Sequence, residues 1–464
     1  MSEEKLNTLN KIINESRVIG EKIDIVLHDI LVSSIYNDAG IIASKAVRLK
    51  GKSNFDYDRN LDRILTSKWL GFPIMFIILA GVFYLTIAGA NVPSQMLAKM
   101  FFSIEDWLAA QLLYINTPSW IVGLFVHGIY KAVAWVISVM LPPMAIFFPV
   151  FTLLEDFGYL PRVAFNLDRL FKWAGAHGKQ ALTMGMGFGC NAAGIVSTRI
   201  IDSPRERLIA IITNNFVPCN GRWPLIIILA TVFVAGSFTP SVASVAAVGV
   251  VMAITLLGIT VTLLVSKLLS KSVLKGELSS YQLELPSYRR PQIMRVLYTS
   301  FISRTVFVLW RAVIMAAPAG AVIWLLGNIY IDSTNLMTII ADFLKPFGNL
   351  IGLDGVIILA YIIAIPANEI VIPTIIMGYM ASGEMMDIED LDQLKALFLA
   401  NGWTIVTAVC LMLFSLLHYP CSTTSFTIWK ETKSVKWTVL SNLLPLTIAI
   451  LVCFVVAQAA RLLF

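Results

Sequence analysis

Residues Gly187–Pro224 read GFGCNAAGIVSTRIIDSPRERLIAIITNNFVPCNGRWP, and this stretch decides how the chain must be built. Two segments rich in Gly, Asn and Cys, GFGCN (Gly187–Asn191) and NNFVPCNGR (Asn214–Arg222), bracket a charged turn from Arg199 to Arg207, and both run into apolar sequence. Glycine-interrupted backbone bearing amide side chains is tolerated beside membrane-grade hydrophobic sequence only where it lines a cavity or is packed inside protein. The stretch therefore reads as half of a transport site.

Outward from it, the rest of the chain is just as apolar. Of 464 residues, 57% are hydrophobic and 14% charged, against roughly 25% charged in a soluble domain, and the mean hydropathy is +0.78. The expected fold is all-α: a polytopic membrane protein with about eight to ten membrane elements, some broken or re-entrant, embedded in the lipid bilayer. The net charge of +6 comes from Lys and Arg beside apolar spans, as the positive-inside rule requires, and no nucleic-acid partner is expected. The five cysteines (Cys190, Cys219, Cys410, Cys421, Cys453) lie in or beside apolar stretches without disulfide-framework spacing, which favours reduced thiols.

Taken in order, residues 1–66 form a cytosolic helical prefix, 67–270 a first membrane half, 271–298 a basic cytoplasmic loop and 299–464 a second membrane half. Gly51-Lys52-Ser53 imitates the end of a phosphate-binding loop, but Ala46 stands where its first glycine would be, so a solvated basic loop is expected. Arg59, Arg63 and Lys68 precede the first span, Leu70–Ala90, and place the amino terminus in the cytoplasm of a multi-pass inner-membrane protein. Val92–Leu113 is expected at the outer interface, Pro142-Pro143 is expected to end the next span, and Pro161–Lys172 is read as an interfacial helix.

The halves resemble one another at their polar breaks. Gly189-Cys190-Asn191 and Asn220-Gly221 in the first correspond to Ala367-Asn368-Glu369 and Asn401-Gly402 in the second, at offsets of about 177 and 181, as a duplicated transporter would give. Turn chemistry alone also produces Asn-Gly pairs. Glu369 is the sharpest single signal, because a carboxylate at membrane depth costs several kcal/mol unless it faces a cavity, a cation or a proton path. Cys190 and Cys219 supply soft ligands suited to transition metals, with Asn191 and Asn220 adding neutral oxygens and Asn368 another beside Glu369. His418 and Cys421 in LLHYPCSTT add ligands at an entrance or exit, although a capped helix end explains the same residues. Cys410 and Cys453, in plain apolar runs, read as small hydrophobes.

These residues sit in segments with a family likeness: LDRILTSKWLGFPIM (Leu61–Met75), LLEDFGYLPRVAFNLDRL (Leu153–Leu170), GFGCN with STR (Ser197–Arg199), PCNGRWP, IPANEIVIP and HYPCSTTSFTIWKETKSVKW (His418–Trp437). In them the chain resembles the membrane domain of the bacterial ferrous iron transport protein B family. The resemblance implies two gate-type repeats, Fe2+ as cargo carried inward across the cytoplasmic membrane with no resident cofactor, and Cys190, Cys219 and Cys421 at positions proposed for iron passage. The complete phosphate loop and NKxD motif of the family's GTP-binding domain are missing here, so either a separate GTPase acts in trans or transport has lost nucleotide control; a small cytosolic iron-transport accessory protein and homo-oligomers are the other expected partners. Ala192-Ala193-Gly194 replaces the family's Val-Pro-Ala type sequence and Asn220-Gly221 its small residues before Arg222, which leaves another divalent transition metal open. A carrier of nucleosides or other polar organic solutes, and a non-transporting membrane scaffold, are the competing readings. An intramembrane hydrolase is disfavoured: there is no HExxH, and His28, His127, His177 and His418 are scattered.

Overall fold

The computed structural model describes residues 34–35, 37–43, 45–46, 54–67, 69–234, 240–275, 288, 292–331, 334–383, 385, 388 and 390–463. Two compact units are present, one holding residues up to Ile64 with Ser279–Glu284 and the other the remainder. Of the first, helix α1 (Asn54–Leu65) is described; most of the helical prefix, the Gly51-Lys52-Ser53 loop and most of the basic loop lie outside the described residues.

Among its described residues, the second unit is helical apart from turns, loops and an antiparallel ribbon of two-residue strands, Tyr330–Ile331 with Thr334–Asn335, in which Tyr330 faces Asn335. Among the described residues, six helices are long and apolar enough to cross a bilayer: α2 (Gly71–Tyr114), α3 (Ser119–Asp156), α9 (Pro240–Lys271, apolar from Ala246), α11 (Phe307–Asn328), the broken α16–α17 (Ile405–Leu417 and Ser422–Thr432) and α18 (Val435–Leu463). In the first half, α7 (Pro204–Thr213) is followed across a break by the shorter apolar helix α8 (Trp223–Val234). Between α3 and α7 lie the amphipathic α4 (Tyr159–Trp173) and the short helices α5 (Gln180–Gly189) and α6 (Asn191–Ser197). The second half adds α10 (Ile293–Ser300) before α11, then α12 (Leu336–Leu350), α13 (Gly355–Ile363), α14 (Val371–Met380) and α15 (Leu391–Ala400).

Two sequence expectations change here. Val92–Leu113 is not a separate interfacial segment, because α2 runs through it without a break and buries Glu105 against His127 and Lys131 of α3. Pro142, Pro143 and Pro149 lie inside α3 rather than ending it. Proline removes one backbone bond and bends a helix, but packed neighbours in a membrane bundle can re-satisfy the freed groups, and α2 and α11 both pack against α3.

Hydrogen bonds fix which ends share a face. At the base of α5, Lys179 Nζ donates to Ile200 O (3.0 Å) and pairs with Asp202 (2.9 Å), so α5 and α6 form a hairpin that enters and leaves on one face with Cys190-Asn191 at its tip. Arg205 and Leu274, Asp156 and Gln292, and Glu431 with Arg199 and Arg207 meet on that same side; we call it the basic face. Hairpin 2, α13–α14, is closed at its base by Tyr379 donating to Asp354. That base lies on the opposite face, where Asn328 at the end of α11 bonds Gly383 O and Arg461 near the end of α18 bonds Asn349 O. Helix α12 meets α13 at 109°, so the chain runs along this face before it dips inward.

The two halves are thus inverted. In the first, a hairpin enters from the basic face and α7–α8 crosses from that face to the other; in the second, a hairpin enters from the opposite face and α16–α17 crosses back. Backbone geometry repeats as well: Cys190 is extended at φ −157°, ψ 125°, and Ala367 at φ −152°, ψ 120°, each directly followed by an Asn that opens the next helical turn.

Candidate transport site

Each half ties its own hairpin tip to its own broken helix by one main-chain bond. Asn220 N–H donates to Gly189 O (3.3 Å), and Ser422 N–H donates to Ile365 O (2.8 Å). The donor follows a Pro-Cys pair each time, Pro218-Cys219 and Pro420-Cys421, so Cys421 is the counterpart of Cys219. This corrects the pairing of Asn220-Gly221 with Asn401-Gly402. Asn401 is exposed at the end of α15, where Gly402 turns the chain at φ +79°. Asn-Gly there is turn chemistry and nothing more.

In the first half the tip is locked by amides. Asn191 in its favoured orientation donates to Val217 O and Gly187 O (3.2 Å each), while Asn214 donates to Asn191 O (3.2 Å). Asn191 is therefore spent on holding tip to break. Arg222 does the corresponding work between halves. It is fully buried, and Nη1 donates to Asn215 O and Leu416 O (2.8 Å each) while Nη2 donates to His418 O and Tyr419 O (3.2 Å each). These carbonyls belong to the two helix breaks, which leave main-chain acceptors without helical partners.

Hairpin 2 brings Glu369 across to the first half. A Cβ on Gly221 would stand 2.2 Å from Glu369 Oε1, so only glycine admits the carboxylate here. Trp135 Nε1 of α3 holds the Glu369 carbonyl at 3.3 Å. The main-chain ties set Cys190, next to Gly189, beside Cys219, next to Asn220, and set Cys421, next to Ser422, at the tip of hairpin 2. Cys421 Sγ also meets Thr424 Oγ1 at 3.2 Å. Among the described residues no three His, Cys, Asp or Glu side chains converge as a closed metal cage; the groups string out along the interface of the two halves.

His418 takes another role than the ligand expected of it. It is fully buried at the end of α16, with Nδ1 at 2.9 Å from Ser415 O and Nε2 at 3.3 Å from Asn368 Oδ1. A neutral imidazole donating from Nδ1 can only accept at Nε2, so Asn368 must present its amide nitrogen there. His418 thus orients Asn368 at the second tip. Cys410 and Cys453 sit away from the centre, buried between α16 and α18, and Cys453 Sγ is 3.3 Å from Cys410 O. Sequence reasoning missed Gly221, Arg222 as a staple and Trp135; the PCNGR run signalled the first two only as unusual residues.

A cavity lies on each face. On the basic face one of about 340 Å³ reaches Ala192 and Ala193; on the opposite face one of about 630 Å³ is lined by both bases of hairpin 2, including Asp354 and Tyr379.

A gate model described as "Nucleoside recognition" matches two segments, residues 137–233 and 309–435, which are the two inverted halves, and a model described as "Ferrous iron transport protein B C terminus" matches residues 251–302 between them. The chain belongs to the ferrous iron transport protein B family, as its membrane portion. An "Fe(2+) transporter FeoB" of Staphylococcus aureus (strain MSSA476) is 28% identical over 420 residues, covering 88% of this chain and 60% of the relative. The protein of the same name from Campylobacter jejuni is 27% identical over 435 residues, 90% of this chain and 68% of the relative. That of Legionella pneumophila (strain Lens) is 30% identical over 299 residues, 63% and 37%. The chain thus spans about 60% of the length of the staphylococcal relative. No solved structure matches it significantly.

Proposed function

We propose that the chain carries Fe2+, or a divalent transition metal of similar softness, between the two faces through the interface of its inverted halves. The observation that carries this reading is the delivery of Glu369 from hairpin 2 against Gly221 of the first break, two residues along the chain from Cys219. Thiols select soft and borderline metals over Mg2+ and Ca2+, and a carboxylate compensates the charge of the ion as it sheds water. An incomplete ligand set suits passage, since a closed four-ligand cage would retain its metal. Relatives named as Fe(2+) transporters support iron as the cargo.

Direction follows from charge. The face carrying Lys179, Arg199, Arg205, Arg207, Lys430 and Lys433 is assigned to the cytoplasm by the positive-inside rule, and transport is inward. The test is Fe2+ uptake by proteoliposomes, read by a metal-sensing dye inside, with and without a separately supplied GTPase. Glu369→Gln and Cys219→Ser should each slow uptake about ten-fold or more, the equivalent of roughly 1.4 kcal/mol at the barrier. Uptake at the parent rate in both variants overturns the site. The gate model's description and the 630 Å³ cavity, larger than an ion needs, favour one second reading, a polar organic cargo; uptake would then ignore metals and compete with added nucleoside.

A further inference from the structure

We infer that the ion pairs of Glu431 with Arg199 and Arg207 form the gate that closes the centre toward the basic face, with hairpin 1 as its moving part. This inference rests on the transport reading above. Glu431 ends α17, in the second half, while Arg199 lies just beyond hairpin 1 and Arg207 in α7, both in the first. Arg199 grips the carboxylate with two bonds, Nε to Oε2 at 3.0 Å and Nη2 to Oε1 at 2.6 Å, and Arg207 Nη2 adds a third at 2.9 Å. The Glu431 side chain is only 5% exposed, against 60% for Arg199. Exposed single ion pairs contribute little, but a buried carboxylate held by two guanidiniums is a different case, since releasing it strands a charge.

Position gives the pairs their role. Helix α6 of hairpin 1 packs against α17, and the pairs close that contact where the hairpin leaves the fold. The cavity beside them is lined by Arg199, Arg311, Lys430 and Glu431 and ends at Ala192 and Ala193, two and three residues past Cys190. The base of hairpin 1 (α5–α6) is fastened to itself through Lys179, Ile200 and Asp202 and its tip to the α7–α8 break, so the hairpin and α7, which carries Arg207, can swing as one piece. On the other face the corresponding tie has different chemistry: Trp403 Nε1 donates to Tyr379 at 2.6 Å, and its ring stacks on Phe398 and Phe233 of α8. The cavity there is larger, 630 against 340 Å³. The tie to be broken on the basic face is ionic.

The test reads the gate separately from transport. Vesicles with the basic face outward are treated with a membrane-impermeant maleimide, and modification of Cys190 is quantified by peptide mass spectrometry. Glu431→Gln should raise its rate about ten-fold, the factor that corresponds to roughly 1.4 kcal/mol lost from the closed state, and an unchanged rate overturns the gate. Should that variant fail to fold, Arg199→Cys with Glu431→Cys decides: a reversible bis-thiosulfonate bridge should abolish Fe2+ uptake, and reductant restore it, relative to the single variants treated alike. Undiminished uptake in the bridged protein also overturns the gate. If the parent moves no Fe2+ at all, the transport reading fails while the maleimide rates still report on the gate.

Discussion

Glu369 and Gly221 come from different halves of the chain, and the space between them leaves no room for a methyl group: a Cβ on Gly221 would stand 2.2 Å from Oε1 and 2.7 Å from the carboxyl carbon. The atoms that must yield are the end of a flexible side chain, so the fold can absorb the change while the carboxylate cannot keep its place. Gly221→Ala should therefore alter stability by under about 1 kcal/mol yet reduce Fe2+ uptake as far as Glu369→Gln does. Thermal melting in detergent beside proteoliposome uptake checks both parts; a normal uptake rate would dissociate Gly221 from the path. Glu369, Cys190, Cys219 and Cys421, the groups proposed to line the path, stand out in the sequence because a polar or soft group in an apolar run is conspicuous by composition. Gly221, Arg222 and Trp135 do not, because each acts through a partner far along the chain: Arg222 binds Leu416 O and Trp135 binds Glu369 O. No local pattern encodes such contacts, and for the same reason His418 looked like a ligand when it is a support for Asn368.

Among elements, the hairpin tips could be read from sequence and the helix breaks only in part. The offset of 177 relates Asn191 to Asn368, and the extended residues before them confirm that the tips correspond. The next motif lies 202 residues away, Cys219 to Cys421, because α15 and its flanking loops lengthen the second half; a constant offset leads to Asn401 instead. Helix α3 was split at Pro142-Pro143 for a similar reason, since proline's local cost says nothing of the neighbours that compensate it. The base of hairpin 1 also carries a pH dependence. Burial pulls the His177 imidazole below the ordinary histidine range, and Nδ1 accepts the Lys179 main-chain N–H at 2.9 Å, as only an unprotonated nitrogen can. With the folded value below an unfolded value of about 6.5, the unfolded chain binds more protons between them, so this stabilisation is present above about pH 6.5 and lost as pH falls toward the folded value. Melting temperatures should decline from pH 7.5 to 5.5, and His177→Asn, which keeps an acceptor for Lys179 without titrating, should flatten that decline. An equal decline in the variant would place the acid sensitivity elsewhere.

For the whole molecule, inversion explains why two similar motifs end up with different surroundings. One hairpin base is charged, with Lys179, Asp202, Arg199 and Arg207; the other is built from Asp354, Tyr379 and Trp403. Related sequences placed on opposite faces meet different charge rules, because retention of Lys and Arg acts on the cytoplasmic side alone. That asymmetry makes the topology testable without any cargo. Asp202 is exposed beside the base of hairpin 1, and Asn401 is exposed and lines the cavity at the base of hairpin 2. With a membrane-impermeant maleimide on intact cells, Asn401→Cys should be modified at once and Asp202→Cys only after permeabilisation, each read by peptide mapping to set aside the native thiols. Modification of both from one side would mean that the hairpins enter in parallel, and the two cavities could not then serve as opposite ends of one path. Modification in the reverse order would keep the inverted fold but turn it over in the membrane, making the 630 Å³ cavity the cytoplasmic one and the Glu431 pairs an outer closure.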